Sequence, residues 1–151
     1  MIKRTRFKGW ALAMSLGCMV TGCSTFNHDW KLASRSKPPA DDITGAWDGT
    51  WLSTVNGHHG RLRSLVSRGE AGQYQARFKA RFWKVFTYGY TVPLQAKKEA
   101  DGSWRLDGSQ NLGWLAGGEY HYSGKATPEH FNSAYSNKYD HGTFELKRSS
   151  P

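Results

Sequence analysis

Residues 74–94 read YQARFKARFWKVFTYGYTVPL, and the alternation in this stretch decides the fold. Tyr74, Ala76, Phe78, Ala80 and Phe82 alternate with Gln75, Arg77, Lys79 and Arg81. A period of two sends successive side chains to opposite faces of a strand, so one face here is apolar and the other cationic. After a short break, Phe86, Tyr88, Tyr90, Val92 and Leu94 repeat the pattern. Pairing Phe82 with Phe86 sets Ala80 opposite Tyr88, Phe78 opposite Tyr90 and Ala76 opposite Val92. Small then faces large, which packs an inner surface without voids.

The same period extends outward from this hairpin. Gly45, Trp47, Gly49 and Trp51 share one face, and Asn56-Gly57 just beyond them is a strong hairpin signal. Leu62 and Val66 alternate with Arg61 and Arg63. Asp101-Gly102 turns the chain into Trp104 and Leu106, and Tyr120, Tyr122, Phe131, Tyr135, Phe144 and Leu146 follow at strand spacing. No window of ten residues carries a helical stripe. The expected fold is all-β, with about eight short antiparallel strands in an up-and-down meander closed into a barrel. A two-sheet β-sandwich is the alternative. Further registers expected are Val66 opposite Tyr74, Leu62 opposite Phe78, Ala96 opposite Trp104 and Leu94 opposite Leu106. Trp47, Trp51, Tyr74, Phe78, Phe82, Phe86, Tyr88, Tyr90, Trp104, Tyr120 and Tyr122 are candidates for the inner face, and so many rings favour a filled interior.

Ile43-Thr44-Gly45-Ala46-Trp47 resembles the opening strand of calycin barrels, the lipocalin and avidin group. The likeness covers that strand and the meander pattern, and it implies a barrel of this kind. The domain also resembles bacterial lipoproteins with a Trp-rich opening strand, a likeness that carries no activity.

The N-terminus has the grammar of an export signal. Lys3, Arg4, Arg6 and Lys8 are followed by a mainly apolar run from Trp10 to Val20. That run is shorter than the roughly 20 apolar residues of a spanning helix. Val20-Thr21-Gly22-Cys23 then resembles the bacterial lipobox. The resemblance implies that residues 1–22 are removed, that the Cys23 thiol receives diacylglycerol and that its new amino group is acylated, anchoring the chain to a membrane. Cys18 follows Ser15-Leu16-Gly17, which lacks the aliphatic first residue. In diderm bacteria the family's inner-membrane retention signal is typically Asp directly after the cysteine. Ser24 stands there, with Thr25 next, which implies an outer-membrane anchor facing the periplasm.

The remaining composition fits export. Of the two cysteines one leaves with the signal and the other is lipidated, so no disulfide staples the domain. Losing four of 21 basic residues against 12 acids leaves a mature net charge of +5, which does not demand nucleic acid. Residues 23–42 include Ser34, Ser36, Pro38 and Pro39, lack a sustained apolar period and read as a flexible tether. Residues 43–148 then form one domain.

Up-and-down order gathers the loops 54–60, 83–85, 111–118 and 136–142 at one end, here called upper. His58, His59, Trp114, Tyr139, Asp140 and His141 form a candidate ligand-binding rim, with Lys84, Lys138 and His121 nearby. Trp114 and Tyr139 would be contact surfaces for a small polar or aromatic ligand. A metal-dependent enzyme would use the imidazoles with a carboxylate, although no recognised ligand spacing links His58-His59 to Asp140-His141. Hydrolysis would need an oriented nucleophile, and the sequence holds neither a Gly-x-Ser-x-Gly nor a free cysteine. Turn chemistry alone also explains such residues. The expectation is a non-catalytic binding barrel without a cofactor.

The second candidate is a basic face. In the expected register Arg63 opposes Arg77 and Arg61 opposes Lys79, with Arg81 just beyond. Like charges directly opposite destabilise a sheet. An anionic partner such as lipid headgroups or a phosphorylated glycan would neutralise them. On that reading, changing Arg63, Arg77 and Lys79 to Gln leaves stability unchanged or slightly improved.

Overall fold

The computed structural model describes residues 21–83 and 85–149, with side chains from Thr25 onward. Residues 1–20 of the expected signal, Lys84 and the Cys23 side chain lie outside the described residues. Eight strands follow in order: β1 (Gly45–Ser53), β2 (His59–Arg68), β3 (Tyr74–Phe82), β4 (Phe86–Lys98), β5 (Trp104–Asn111), β6 (Glu119–Ala126), β7 (His130–Ser136) and β8 (His141–Arg148). Each pairs antiparallel with its sequence neighbours, and β8 returns to β1 to close a barrel. Closure leaves no edge strand. It settles the choice between barrel and sandwich, and it is consistent with a calycin-like architecture.

The β3–β4 ladder has the expected register, from Phe82 opposite Phe86 to Ala76 opposite Val92. Two other hairpins differ by two residues. Leu62 faces Ala80 and Arg63 faces Lys79, rather than Phe78 and Arg77. Ala96 faces Leu106 and Leu94 faces Gly108, rather than Trp104 and Leu106. In both cases the turn is centred one residue later in the chain than the expected pairing requires. The Gly69 N–H donates to the Gln73 carbonyl at 2.7 Å, and the Glu99 N–H donates to the Ser103 carbonyl at 2.8 Å. A slip of two preserves which side chains point inward.

The interior is filled with rings. Phe78 lies 5.3 Å from Tyr90, 5.6 Å from Phe144, 6.4 Å from Tyr122 and 6.5 Å from Phe131, centroid to centroid. Leu62, Val66, Tyr74, Val92, Leu94, Leu106 and Leu146 complete the buried core. Phe82, Phe86 and Tyr88 depart from the inner-face expectation, because they stand at the upper mouth and are exposed.

The flexible-tether reading of residues 23–42 needs correction. Thr21–Arg35 forms an α-helix, α1, laid against the outside of the barrel. Phe26, Trp30 and Ala33 recur at helical spacing on its covered side. Phe26 is buried, and the Trp30 Nε1–H donates to the Trp47 carbonyl at 3.2 Å. The chain then reaches the lower end of the barrel, where Asp41 pairs with Lys98 and Asp42 with Arg68.

The lower end is shut. Ile43 and Trp47 are fully buried there. The Arg148 guanidinium lies 4.2 Å from the Trp47 ring centroid and donates to the carbonyls of Thr44 and Asp42, both at 2.6 Å, and to that of Pro128. Burial works to raise the Asp42 pKa, but the Arg68 side chain and backbone N–H donors outweigh it and hold it below its ordinary value. A depressed carboxylate contributes stability above its unfolded pKa, and that contribution is lost as pH falls through the folded value. Below about pH 4 the amides of residues 41–44 should therefore lose protection relative to their intrinsic exchange rates, while those of β3 and β4 stay protected. Unchanged protection at residues 41–44 would show that the Asp42 contacts do not hold this segment.

Candidate functional site

Four loops meet at the upper end and are tied into a ring. The His58 and Trp83 rings meet edge to face at 5.9 Å, joining the β1–β2 loop to the β3–β4 loop. The Tyr88 hydroxyl is 3.5 Å from the Leu112 carbonyl, linking β4 to the β5–β6 loop. The Asn137 amide donates to the Gly117 carbonyl at 3.1 Å, which brings in the β7–β8 loop. The Ser53 hydroxyl donates to Asp140 at 2.6 Å, and the Thr54 N–H donates to the His141 carbonyl at 2.9 Å, closing the circuit.

The expected rim residues therefore do share one end, but their roles differ. Asp140 is occupied. Its carboxylate accepts from Ser53 and, at 3.3 Å, from the Tyr135 hydroxyl, while its own N–H donates to Asn137. Burial, followed by the charge of Asp140, pushes the Tyr135 pKa well above the ordinary phenolic value, so Tyr135 remains a neutral donor. The His59 ring lies 3.1 Å from the Gly57 carbonyl, and the His58 N–H donates to Asn56. His141 enters the ring through its carbonyl, with its side chain exposed. Among the described residues no three His, Cys, Asp or Glu side chains stand close enough to hold a metal ion. Trp114 and Tyr139 remain open, with the Lys138 ammonium over the Tyr139 ring at 5.3 Å.

The structure adds rim residues that the sequence reading left out or, for Phe86, placed on the inner face. Trp83 is 72% exposed, Val85 79%, Phe86 66% and Leu115 83%, alongside Trp114 at 86%. Four of the five residues from Phe82 to Phe86 are apolar with no alternation, a signal present in the sequence. Trp83 also holds a φ of 43°, an uncommon conformation for a large side chain and one associated with functional loops. Every exposed large hydrophobic residue among those described, except Leu32 on α1, lies at this upper end. Scattered apolar side chains need no explanation, whereas a cluster confined to one end marks an interaction surface.

The chain matches no protein-family model, no curated protein and no solved structure.

The basic face is not the open patch expected, because α1 lies over it. Arg77 pairs with Asp29 at 2.8 Å, and Lys79 donates to Asn27 at 3.0 Å. Phe26 lies beneath both cations, at 5.6 Å from Arg77 and 5.9 Å from Lys79, and Arg63 lies 5.0 Å from the Trp30 ring. The hydrogen bond from Arg77 holds the Asp29 carboxyl below its ordinary pKa. Arg61 pairs with Asp48. Arg81 is exposed at the upper end of β3, where its carbonyl accepts from Trp51. These cations, with Lys97, Arg105, Lys125 and Lys147, occupy outward strand positions around an apolar interior. A membrane-spanning barrel presents an apolar band outward instead.

Proposed function

We propose that this chain is a lipid-anchored envelope protein whose barrel is a non-catalytic binding module, with the upper rim as its binding surface. The observation that carries the reading is the confinement of exposed aromatic and aliphatic side chains to that rim. Loops on a closed scaffold are where binding surfaces are commonly built. The lower end is closed by Ile43, Trp47 and Arg148, and much of the basic face is engaged by α1. Cys23 is the lipid-bearing residue, and Ser24 after it directs the protein to the outer membrane, facing the periplasm.

Labelling cells with a radioactive fatty acid tests the anchor. The native chain should be labelled and fractionate with the outer membrane. Cys23→Ser should lose the label and accumulate as precursor, and Cys18→Ser should behave as native. Full labelling of Cys23→Ser would overturn the assignment. Metal analysis tests the remainder, since stoichiometric zinc retained through chelation would replace the binding module with a metal-dependent enzyme.

A further inference from the structure

We propose that the rim's occupant is the bilayer itself. Trp83, Val85, Phe86, Trp114 and Leu115 dock into the headgroup boundary of the same membrane that the Cys23 lipid holds. This inference rests on the lipid-anchor reading above.

Shape is the first argument. Small-molecule pockets are concave and bury most of their ligand's surface. Trp114, Leu115, Val85 and Trp83 are each more than two-thirds exposed, at the tips of two loops. Such projections can enter a soft planar medium without a preformed cavity. Composition is the second argument. Trp, aliphatic side chains and nearby Lys or Arg are the mixture that anchors proteins in the interfacial region. Arg81 is exposed on the strand leading to Trp83, and Lys138 stacks on Tyr139. The Asp140 carboxylate is engaged within the rim by Ser53 and Tyr135, which leaves Glu119 as the exposed acid at the start of β6.

The path of α1 is the third and independent argument. Its C-terminal continuation reaches the lower end, where Asp41 and Asp42 pair with Lys98 and Arg68. Trp30 bonds the Trp47 carbonyl in the lower half of β1. Thr25 and Phe26 lie farther back along the helix, beside Arg77 and Lys79 of β3. The helix therefore descends, and its N-terminus points away from the closed end, toward the aromatic rim. Cys23 precedes Phe26 by only three helical residues, about 4.5 Å of rise, so no flexible stretch separates lipid from barrel. A lipid held this close sets the orientation of the barrel, and the rim is the apolar end on that side.

The protein should be purified from membranes with its lipid and reconstituted into vesicles whose acyl chains carry bromine near the headgroup. Expected is strong quenching of tryptophan emission, most of it lost in Trp83→Gln together with Trp114→Gln. Both side chains are largely exposed, and circular dichroism should confirm that the variant retains its fold. The rim tryptophans should also be shielded from acrylamide in vesicles and accessible to it in detergent-free buffer. A protein that floats with vesicles while Trp83 and Trp114 stay unquenched keeps its anchor and overturns the docking. Shielding in native membranes but not in pure lipid vesicles would also overturn it, since a partner protein would then cover the rim. Should Cys23 prove unlipidated, vesicles added in excess to the intact chain still decide. Quenching of Trp83 and Trp114 sustains the docking surface, and its absence removes it.

Discussion

Replacing Arg148 with Met is expected to lower the unfolding free energy by about 3 kcal/mol. The guanidinium donates to carbonyls in two separated segments, at Asp42 and Thr44 before β1 and at Pro128 in the β6–β7 turn, while resting on the Trp47 ring. Each hydrogen bond from a charged donor contributes roughly 1.5–3 kcal/mol, and the cation–π contact adds about 1 kcal/mol. The losses will not sum, because the bonds share one donor group and water can reach the partly exposed carbonyls after truncation. Met keeps an apolar stem over Trp47, so the substitution removes the polar clamp rather than the packing. Burial lowers the Arg148 pKa from its usual value, a direction that costs stability and is tolerated only because the carbonyl bonds replace water. Urea unfolding should show a lower midpoint with an unchanged slope. Arg148→Lys should recover only part of the loss, since an ammonium cannot reproduce the planar fork. A midpoint shift within error for Arg148→Met would mean that the lower end is held by Ile43 and Trp47 burial alone.

The barrel was legible because period two runs through nearly every strand and turns punctuate it at close spacing. The β3–β4 register was legible as well, because the short Trp83–Val85 link leaves little freedom in the pairing. The β2–β3 and β4–β5 registers were not. Their turn residues bond among themselves, as Asp101 does with the Ser103 N–H and hydroxyl, and a slip of two leaves every face unchanged. Burial patterning contains no information about such a slip.

The rim was half legible. Strand order alone placed His58, Trp114, Tyr139 and Asp140 at one end, but the sequence could not show that Ser53, 87 residues away, occupies the Asp140 carboxylate. The cations of the basic face were read correctly as outward, while their intramolecular partner was missed. α1 carries a short stripe in a polar segment, too little for a helix to stand alone in water. Its stability comes from docking, and docking is a tertiary property.

That origin gives the second large effect. Phe26→Ala should cost about 2 kcal/mol, below the roughly 3–5 kcal/mol usual for truncating a buried Phe, because α1 can detach and leaves no enclosed cavity behind. The barrel should remain closed while α1 lifts away. Trp30 then loses its bond to the Trp47 carbonyl, and amides in residues 26–35 should exchange at rates near those of a free peptide. The consequence for the basic face reverses its sign. In the native chain, changing Arg63, Arg77 and Lys79 to Gln removes contacts to Asn27, Asp29, Phe26 and Trp30, so stability should fall. Once Phe26→Ala has released the helix, Arg63 and Lys79 oppose each other with no cover, and the same changes should raise stability by relieving repulsion. A double-mutant cycle on urea midpoints separates the two cases. Equal effects in both backgrounds would mean that α1 does not neutralise this face, and the cations would then require a partner outside the chain.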